Sequence, residues 1–314
     1  MSGFHTPRGV TDEDRAAADA LRQAVWASHP YRDRLPERGL SIDAKPALTG
    51  TDPADIGRYV VITVRDPLGG SDGSHARALA ERLGPTRMVG GTGLFQLYTA
   101  DMDGVAVTVV ATGSGAPELE LALVEIMEHS DAEVLVYFGT AAGMHPYVTP
   151  GDVVISTGVV RGDGLTAAYV DPSYPAAPSY DVVAAFAAAA RVERVPHRLG
   201  VTRSVDSDML GNGRPSVGGY MQPRHAETID YWVRAGVLCN DREASPVVTL
   251  GNLFGRRTGA VQGITDNYPS GKTFDVGAGM EDATRVLVAG LRLLAQQDAE
   301  RDAAGAAHWT PRVR

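Results

Sequence analysis

Residues 238–267 read LCNDREASPVVTLGNLFGRRTGAVQGITDN. Asp241 and Glu243 open an apolar helical run over 246–253, and Gly255 with the Arg256–Arg257 pair ends it. A short β-branched strand over 260–265 then delivers Asp266 at its carboxyl end. Ligands of open α/β sheets sit in the crevice beyond the carboxyl ends of the strands. Two carboxylates from separate segments can therefore converge on one small polar ligand. The plainer reading of the same residues is a solvated helix N-terminus and an ordinary strand-end aspartate.

Working outward, the chain keeps this rhythm. The run 59–64 suits a strand buried on both faces and leads through Arg65-Asp66-Pro67-Leu68-Gly69-Gly70 into a helix over 74–83. Strand, Gly-rich turn and helix is an arrangement that cradles anions on backbone N–H groups, although GxGxxG and the P-loop pattern are absent. Spans 95–100 and 105–111 bracket an Asp-Gly turn and read as a hairpin. A second small-residue turn, 112–117, opens a helix over 118–129. The strand 134–138 runs into a third, Gly139-Thr140-Ala141-Ala142-Gly143, and 153–155 follows as a strand. An Ala-rich helix covers 180–190. Strands alternating with helices predict an α/β fold, a single-domain mixed β-sheet flanked by helices. Thr11 and the acids after it mark a helix start running through Ala27; 29–57 reads as irregular, and 300–314 as a polar, frayed tail.

Composition removes several classes of function. A chain of 314 residues that is 44% hydrophobic buries a large core. A net charge of −9 argues against a nucleic-acid polymer as partner. The single cysteine, Cys239, excludes an intramolecular disulfide and a zinc knuckle, and points to a core position in a reducing, cytoplasmic compartment. No apolar run approaches the roughly 18 residues of a membrane span. The first fifteen residues hold acids and no apolar h-region, so no secretory signal is expected. The eight histidines lack HxxxH or HxH spacing. No metal site and no cofactor motif is visible.

Five stretches, taken in order, resemble the purine and uridine phosphorylase superfamily, most nearly its uridine phosphorylase branch. Gly139-Thr140 followed by Pro150-Gly151-Asp152-Val153-Val154 is similar to GTTG…VGDVLV. Residues 161–175 resemble the RLDG…FP segment, and Gly200-Val201-Thr202 with Ser204 and Asp206 resembles GVTASSD. Gly211-Asn212-Gly213-Arg214 resembles the GQER of the uracil-binding loop. Asp241-Arg242-Glu243-Ala244 falls on Glu-Met-Glu-Ser. The resemblance spans 60–296 and implies a nucleoside phosphorylase-like three-layer fold. The expected organisation is an N-terminal extension over 1–57, a catalytic domain over 58–298 and a tail over 299–314. It also implies a homo-oligomer, dimer or hexamer, with sites completed across the interface.

The implied chemistry is cleavage of a ribosyl C1′–N bond through an oxocarbenium-like sugar. A carboxylate is a strong acceptor for a vicinal diol. By resemblance Glu243 grips the ribose hydroxyls and Asp241 supports it. Arg242 replaces the family's sugar-packing Met, which suggests a charged group such as phosphate on the substrate. Asp266 lies 23 residues beyond Glu243, and the Thr265-Asp266 pair resembles the Ser-Asp with which purine-specific members protonate the base. A leaving-group acid needs a pKa raised toward neutrality, which burial supplies. Arg214, by resemblance, reads a pyrimidine carbonyl, with Asn212 beside it; its plainer reading is a loop salt bridge. Purine and pyrimidine signals thus conflict.

The nucleophile is where the chain departs most. The family holds phosphate with three arginines and a threonine. Gly69, Gly93 and Tyr137 stand at the arginine positions, and only Thr140 is kept. Bidentate Arg is the usual provider of charge-assisted bonds to phosphate, at roughly 1.5–3 kcal/mol each. Arg65 has appeared in the first loop, one cation for three. Nucleosidases of the superfamily lack these arginines and activate water with a carboxylate near the first strand, for which Asp66 is the candidate; an Asx-turn is its other reading. Three functions follow. The first is a nucleosidase acting on a nucleoside or nucleotide. The second is a phosphorylase with a phosphate site rebuilt from Arg65 and Arg87 or a neighbour's arginine. The third is a silent relative that binds a nucleoside.

Overall fold

The computed structural model describes residues 11–34, 41–42, 45–64, 74–91, 94–272, 275 and 277–311. The first half of the chain runs α1 (Asp12–Ala27), β1 (Ser41–Ile42), β2 (Lys45–Pro46), β3 (Tyr59–Val64), α2 (Ser74–Leu83), β4 (Thr86–Gly91), β5 (Gln96–Met102), β6 (Val105–Thr112), α3 (Ala116–His129), β7 (Val134–Gly143) and β8 (Val153–Gly162). The second half runs α4 (Leu165–Tyr169), α5 (Tyr180–Val192), β9 (His197–Val205), α6 (Pro223–Ala226), α7 (Thr228–Arg234), β10 (Val237–Asp241), α8 (Ala244–Leu253), β11 (Arg257–Asp266) and α9 (Met280–Ala303).

Nine strands form one mixed sheet in the order β10-β9-β8-β11-β7-β3-β6-β5-β4. Pleating sends alternate side chains to opposite faces. Tyr59 and Val61 of β3 enter a core with residues of α2, α5 and α9, while Val60 and Ile62 enter a second core with residues of α3 and α8. The result is three layers, helix–sheet–helix, as expected. β10 also pairs antiparallel with β7. Strands β7, β11, β8, β9 and β10 therefore close into a ring, and the carboxyl ends of β10 and β11 reach the same stretch of β7.

Local chemistry accounts for the joints. Asp103 and Gly104 both have positive φ, 54° and 85°, as a type I′ hairpin turn requires. Thr11 and Asp14 complete a capping box at α1, at 3.1 and 2.9 Å. Far from the carboxyl ends, Arg257 bonds Asp181 at 2.8 Å and Asp298 at 2.5 Å, and Tyr59 donates to Asp298 at 2.6 Å. This buried network clamps α9 under the sheet.

Two sequence expectations need correction. β7 and β8 continue well past the spans 134–138 and 153–155. Small residues that read as a turn after Phe138 still pair, Gly139 with Gln262, Ala141 with Ile264 and Gly143 with Cys239. The tail is not frayed from 300, because α9 runs through Ala303 and the Arg301 side chain is buried against Asp298 at 2.7 Å.

Candidate active site

β11 ends in a bulge. Ile264 pairs with Ala141 and Asp266 with Ala142, so Thr265 is the extra residue between them. Bulges re-aim side chains at the rims of sheets. On the other side of Ala142 lies Asn240 of β10. The Asn240 amide donates to Oδ1 of Asn212 at 2.8 Å, which ties the loop of 209–214 to this row. Arg203, buried under the Trp232 ring at 4.9 Å, holds the same loop by donating to the Gly211 carbonyl at 2.9 Å.

Asp266 is buried and accepts from Thr265 Oγ1 at 3.0 Å and from Arg214 Nη2 at 2.9 Å. The Arg214 guanidinium stacks on Tyr268, 3.9 Å from the ring centre. Burial pushes the Asp266 carboxyl above its ordinary range; Thr265 and Arg214 pull it down, and the charge of Asp208 adds to the rise. The two residues whose base preferences conflict in the sequence are thus direct partners. The salt bridge read as a plain alternative for Arg214 exists, and its acid is Asp266.

The carboxylate pair before α8 is not a solvated helix end: Asp241 and Glu243 are both buried, at 6% and 4% exposure. Glu243 precedes the first residue of α8 but does not cap it. Its side chain crosses to the turn before α3. Oε1 accepts from the Gly115 amide at 2.7 Å and from Ser114 Oγ at 3.3 Å, and Oε2 accepts from the Tyr137 hydroxyl at 2.9 Å. Gly139 makes room for that hydroxyl, since a Cβ there would stand 2.5 Å from it. Burial raises the Glu243 carboxyl while Tyr137, Gly115, Arg242 and Ser114 oppose the rise. Burial, then the charge of Glu243, push the Tyr137 hydroxyl well up.

Asp241 faces the other way. It is held by Ser204 Oγ and by the Gln262 amide of β11, and Ser204 Oγ in turn accepts the Ser245 amide of α8 at 2.8 Å. Burial, and then the charge of Glu243, push it up to about 8. Asp241 is thus pushed toward its protonated form, while the ring of donors around Glu243 opposes the rise there. Arg242 lies between them in sequence but at the rim, its Nη1 on Ser114 Oγ at 3.2 Å and 3.6 Å from Asp208.

Glu243, Asp241, Arg242, Asp266, Arg214 and Asn212 are therefore joined by contacts around the carboxyl ends of β10 and β11. Thr140 sits on β7 opposite Gly263, exposed. Arg65, Asp66, Gly69 and Gly93 lie outside the described residues. Arg87 does not turn toward this cluster; it pairs with Asp55 at 2.5 Å on β4. Asp208, Ser114, Gln262 and Arg203 escaped sequence reading. The link from Tyr137 to Glu243 crosses 106 positions and left no local signal.

The three-layer fold with a buried carboxylate pair at its strand ends accords with an enzyme of nucleoside phosphorylase type. A family model described as the phosphorylase superfamily matches residues 61–295, and the chain belongs to that family. It is 30% identical over 263 residues to a uridine phosphorylase of Treponema pallidum (strain Nichols), covering 80% of this chain and 95% of that one. It is 28% identical over 262 residues to a uridine phosphorylase of Thermococcus kodakarensis, covering 83% and 91%. A guanosine phosphorylase of Halorubrum lacusprofundi is 28% identical over 177 residues, 56% of this chain and 68% of that one. Among the described residues, no helix is long and apolar enough to cross a membrane.

Proposed function

We propose that this protein cleaves the N-glycosidic bond of a nucleoside or nucleotide and that water, not phosphate, takes the sugar. Glu243 accepts a sugar hydroxyl through the one lone-pair site that its three donors leave, on Oε2. Asp266, buried and raised, shares or gives a proton to the departing base, with Arg214 as its partner and Asn212 beside it. Asp241 acts from behind: a protonated carboxyl linking β9, β10, β11 and α8, which fixes where Glu243 stands. Thr140, and Asp66 as the base that activates water with Arg65 next to it, complete the assignment.

The observation that supports hydrolysis is Tyr137. Where the family's phosphate arginine is expected, a buried phenol is already spent on Glu243 at 2.9 Å. A phosphate dianion there would face a neutral, occupied donor and lose a charge-assisted contact. The names of the relatives favour a second reading, phosphorolysis, in which other cations rebuild the phosphate site. Phosphate dependence of base release separates the two: hydrolysis runs equally in phosphate-free buffer, phosphorolysis does not. The expected assembly is a homo-oligomer, which sedimentation of the purified chain tests.

A further inference from the structure

We propose that the substrate is phosphorylated on its sugar and that Arg242 receives the phosphate monoester. This rests on the reading of the cluster as an N-glycosidic site. Arg242 adjoins Glu243, and both contact one hydroxyl: Ser114 Oγ accepts from Arg242 at 3.2 Å and lies 3.3 Å from Glu243 Oε1. The buried end of this pair is the carboxylate, and the rim end is the guanidinium, 32% exposed. In a nucleotide the 5′-phosphate is carried on O5′ of C5′, the exocyclic carbon on C4′, and C4′ neighbours the C3′ whose hydroxyl a carboxylate such as Glu243 takes. A cation adjoining Glu243 at the rim is placed to meet it.

The guanidinium is also under-used. Nη1 alone makes a hydrogen bond, and Nε is buried without a partner among the described residues. Among the described residues, the carboxylate paired with it, Asp208, is 3.6 Å away, beyond hydrogen-bond reach, and 53% exposed. Asp208 also acts on Asp266, so the loose Arg242–Asp208 pair spans the rim from the sugar side to the base side. A phosphate dianion forms stronger, charge-assisted bonds with a guanidinium than a carboxylate held off at that distance. Asp208 then serves as the counter-ion of Arg242, displaced when the phosphate arrives.

The test compares kcat/KM for purine and pyrimidine nucleosides with their 5′-monophosphates, in phosphate-free buffer, for the wild type, Arg242→Met, Arg242→Lys and Asp208→Asn. The wild type is expected to prefer the monophosphate by about tenfold or more, the worth of one charge-assisted contact. Arg242→Met should erase that preference, Arg242→Lys should retain part of it, and Asp208→Asn should increase it. Equal turnover of nucleoside and monophosphate by the wild type overturns the proposal, as does an unchanged ratio in Arg242→Met. In a second arm with inorganic phosphate added, stimulation of the wild type that disappears in Arg242→Met also overturns it, by giving the guanidinium to a free co-substrate. If Arg242→Met does not fold by circular dichroism, the Lys variant decides by the same ratio. Should the wild type release no base from any compound, the proposed reaction fails. Calorimetry with the 5′-monophosphates then decides the phosphate claim: binding weakened in the Arg242 variants upholds it, and equal binding ends it.

Discussion

Tyr137 donates its phenolic hydrogen to Oε2 of Glu243 at 2.9 Å, joining the middle of the sheet to the segment that starts α8. Both groups are buried, so neither has water to fall back on. Tyr137→Phe leaves the carboxylate one donor short. The expected cost is about 1.5–3 kcal/mol of unfolding free energy. The cost should shrink as pH falls and Glu243 takes a proton, because the bond lowers the pKa of that carboxyl. Urea unfolding at several pH values measures both.

Asp241 should make the fold less stable as pH rises. Its carboxyl is pushed from an ordinary 3.8 up to about 8 in the folded chain. A group that holds its proton more tightly when folded stabilises below its unfolded pKa, and that contribution is lost as pH climbs through the folded pKa. The window is therefore 3.8 to about 8. Asp241→Asn, a neutral mimic able to keep the bonds with Gln262 and Ser204, should flatten this dependence. At alkaline pH it should gain on the order of 3–5 kcal/mol over the wild type. Equal pH slopes for the two proteins would count against a protonated Asp241.

Arg214 lowers the pKa of Asp266 by its charge and its hydrogen bond. If Asp266 works as the proton-bearing form, Arg214→Met should move the alkaline limb of the kcat/KM profile to higher pH. Asp266→Asn should remove that limb and cut the rate by roughly 10²–10⁴-fold. An unmoved limb in the Met variant would mean that another group sets it.

Glu243→Gln keeps the shape of the side chain and loses its charge. If Glu243 accepts the sugar hydroxyl as proposed, that contact should then be worth about 1.5–3 kcal/mol less, or roughly 10- to 150-fold in kcat/KM. Circular dichroism and unfolding midpoints separate this from loss of structure.

Much of the fold was legible because it is written locally. The apolar run of β3, the Asp-Gly turn at 103–104 and the helix after Thr11 each carry their signal within a few residues. β7 and β8 read short because Gly139 to Gly143 has turn composition, and only pairing with β10 and β11 keeps it extended. The site was legible as motifs and not as geometry. Glu243, Asp241 and Asp266 stood out as carboxylates at strand ends, yet which neighbour each would bond depends on residues 20 to 130 positions away, such as Gln262, Ser204 and Gly115. Arg214 and Asp266 looked like rival base readers. Their pairing needed the loop of 209–214 to fold over β11, held by Arg203 and Asn240, neither of which is marked in the sequence.

The most direct measurement is the fate of the sugar: base release from a nucleoside and nucleotide panel with and without phosphate, followed by chromatography of the sugar product. Hydrolysis requires the free sugar, with its 5′-phosphate if the substrate carried one, formed at the same rate in both buffers. Sugar 1-phosphate formed only when phosphate is present would show that the cations lost at Gly69, Gly93 and Tyr137 have been replaced, and would contradict water as the nucleophile.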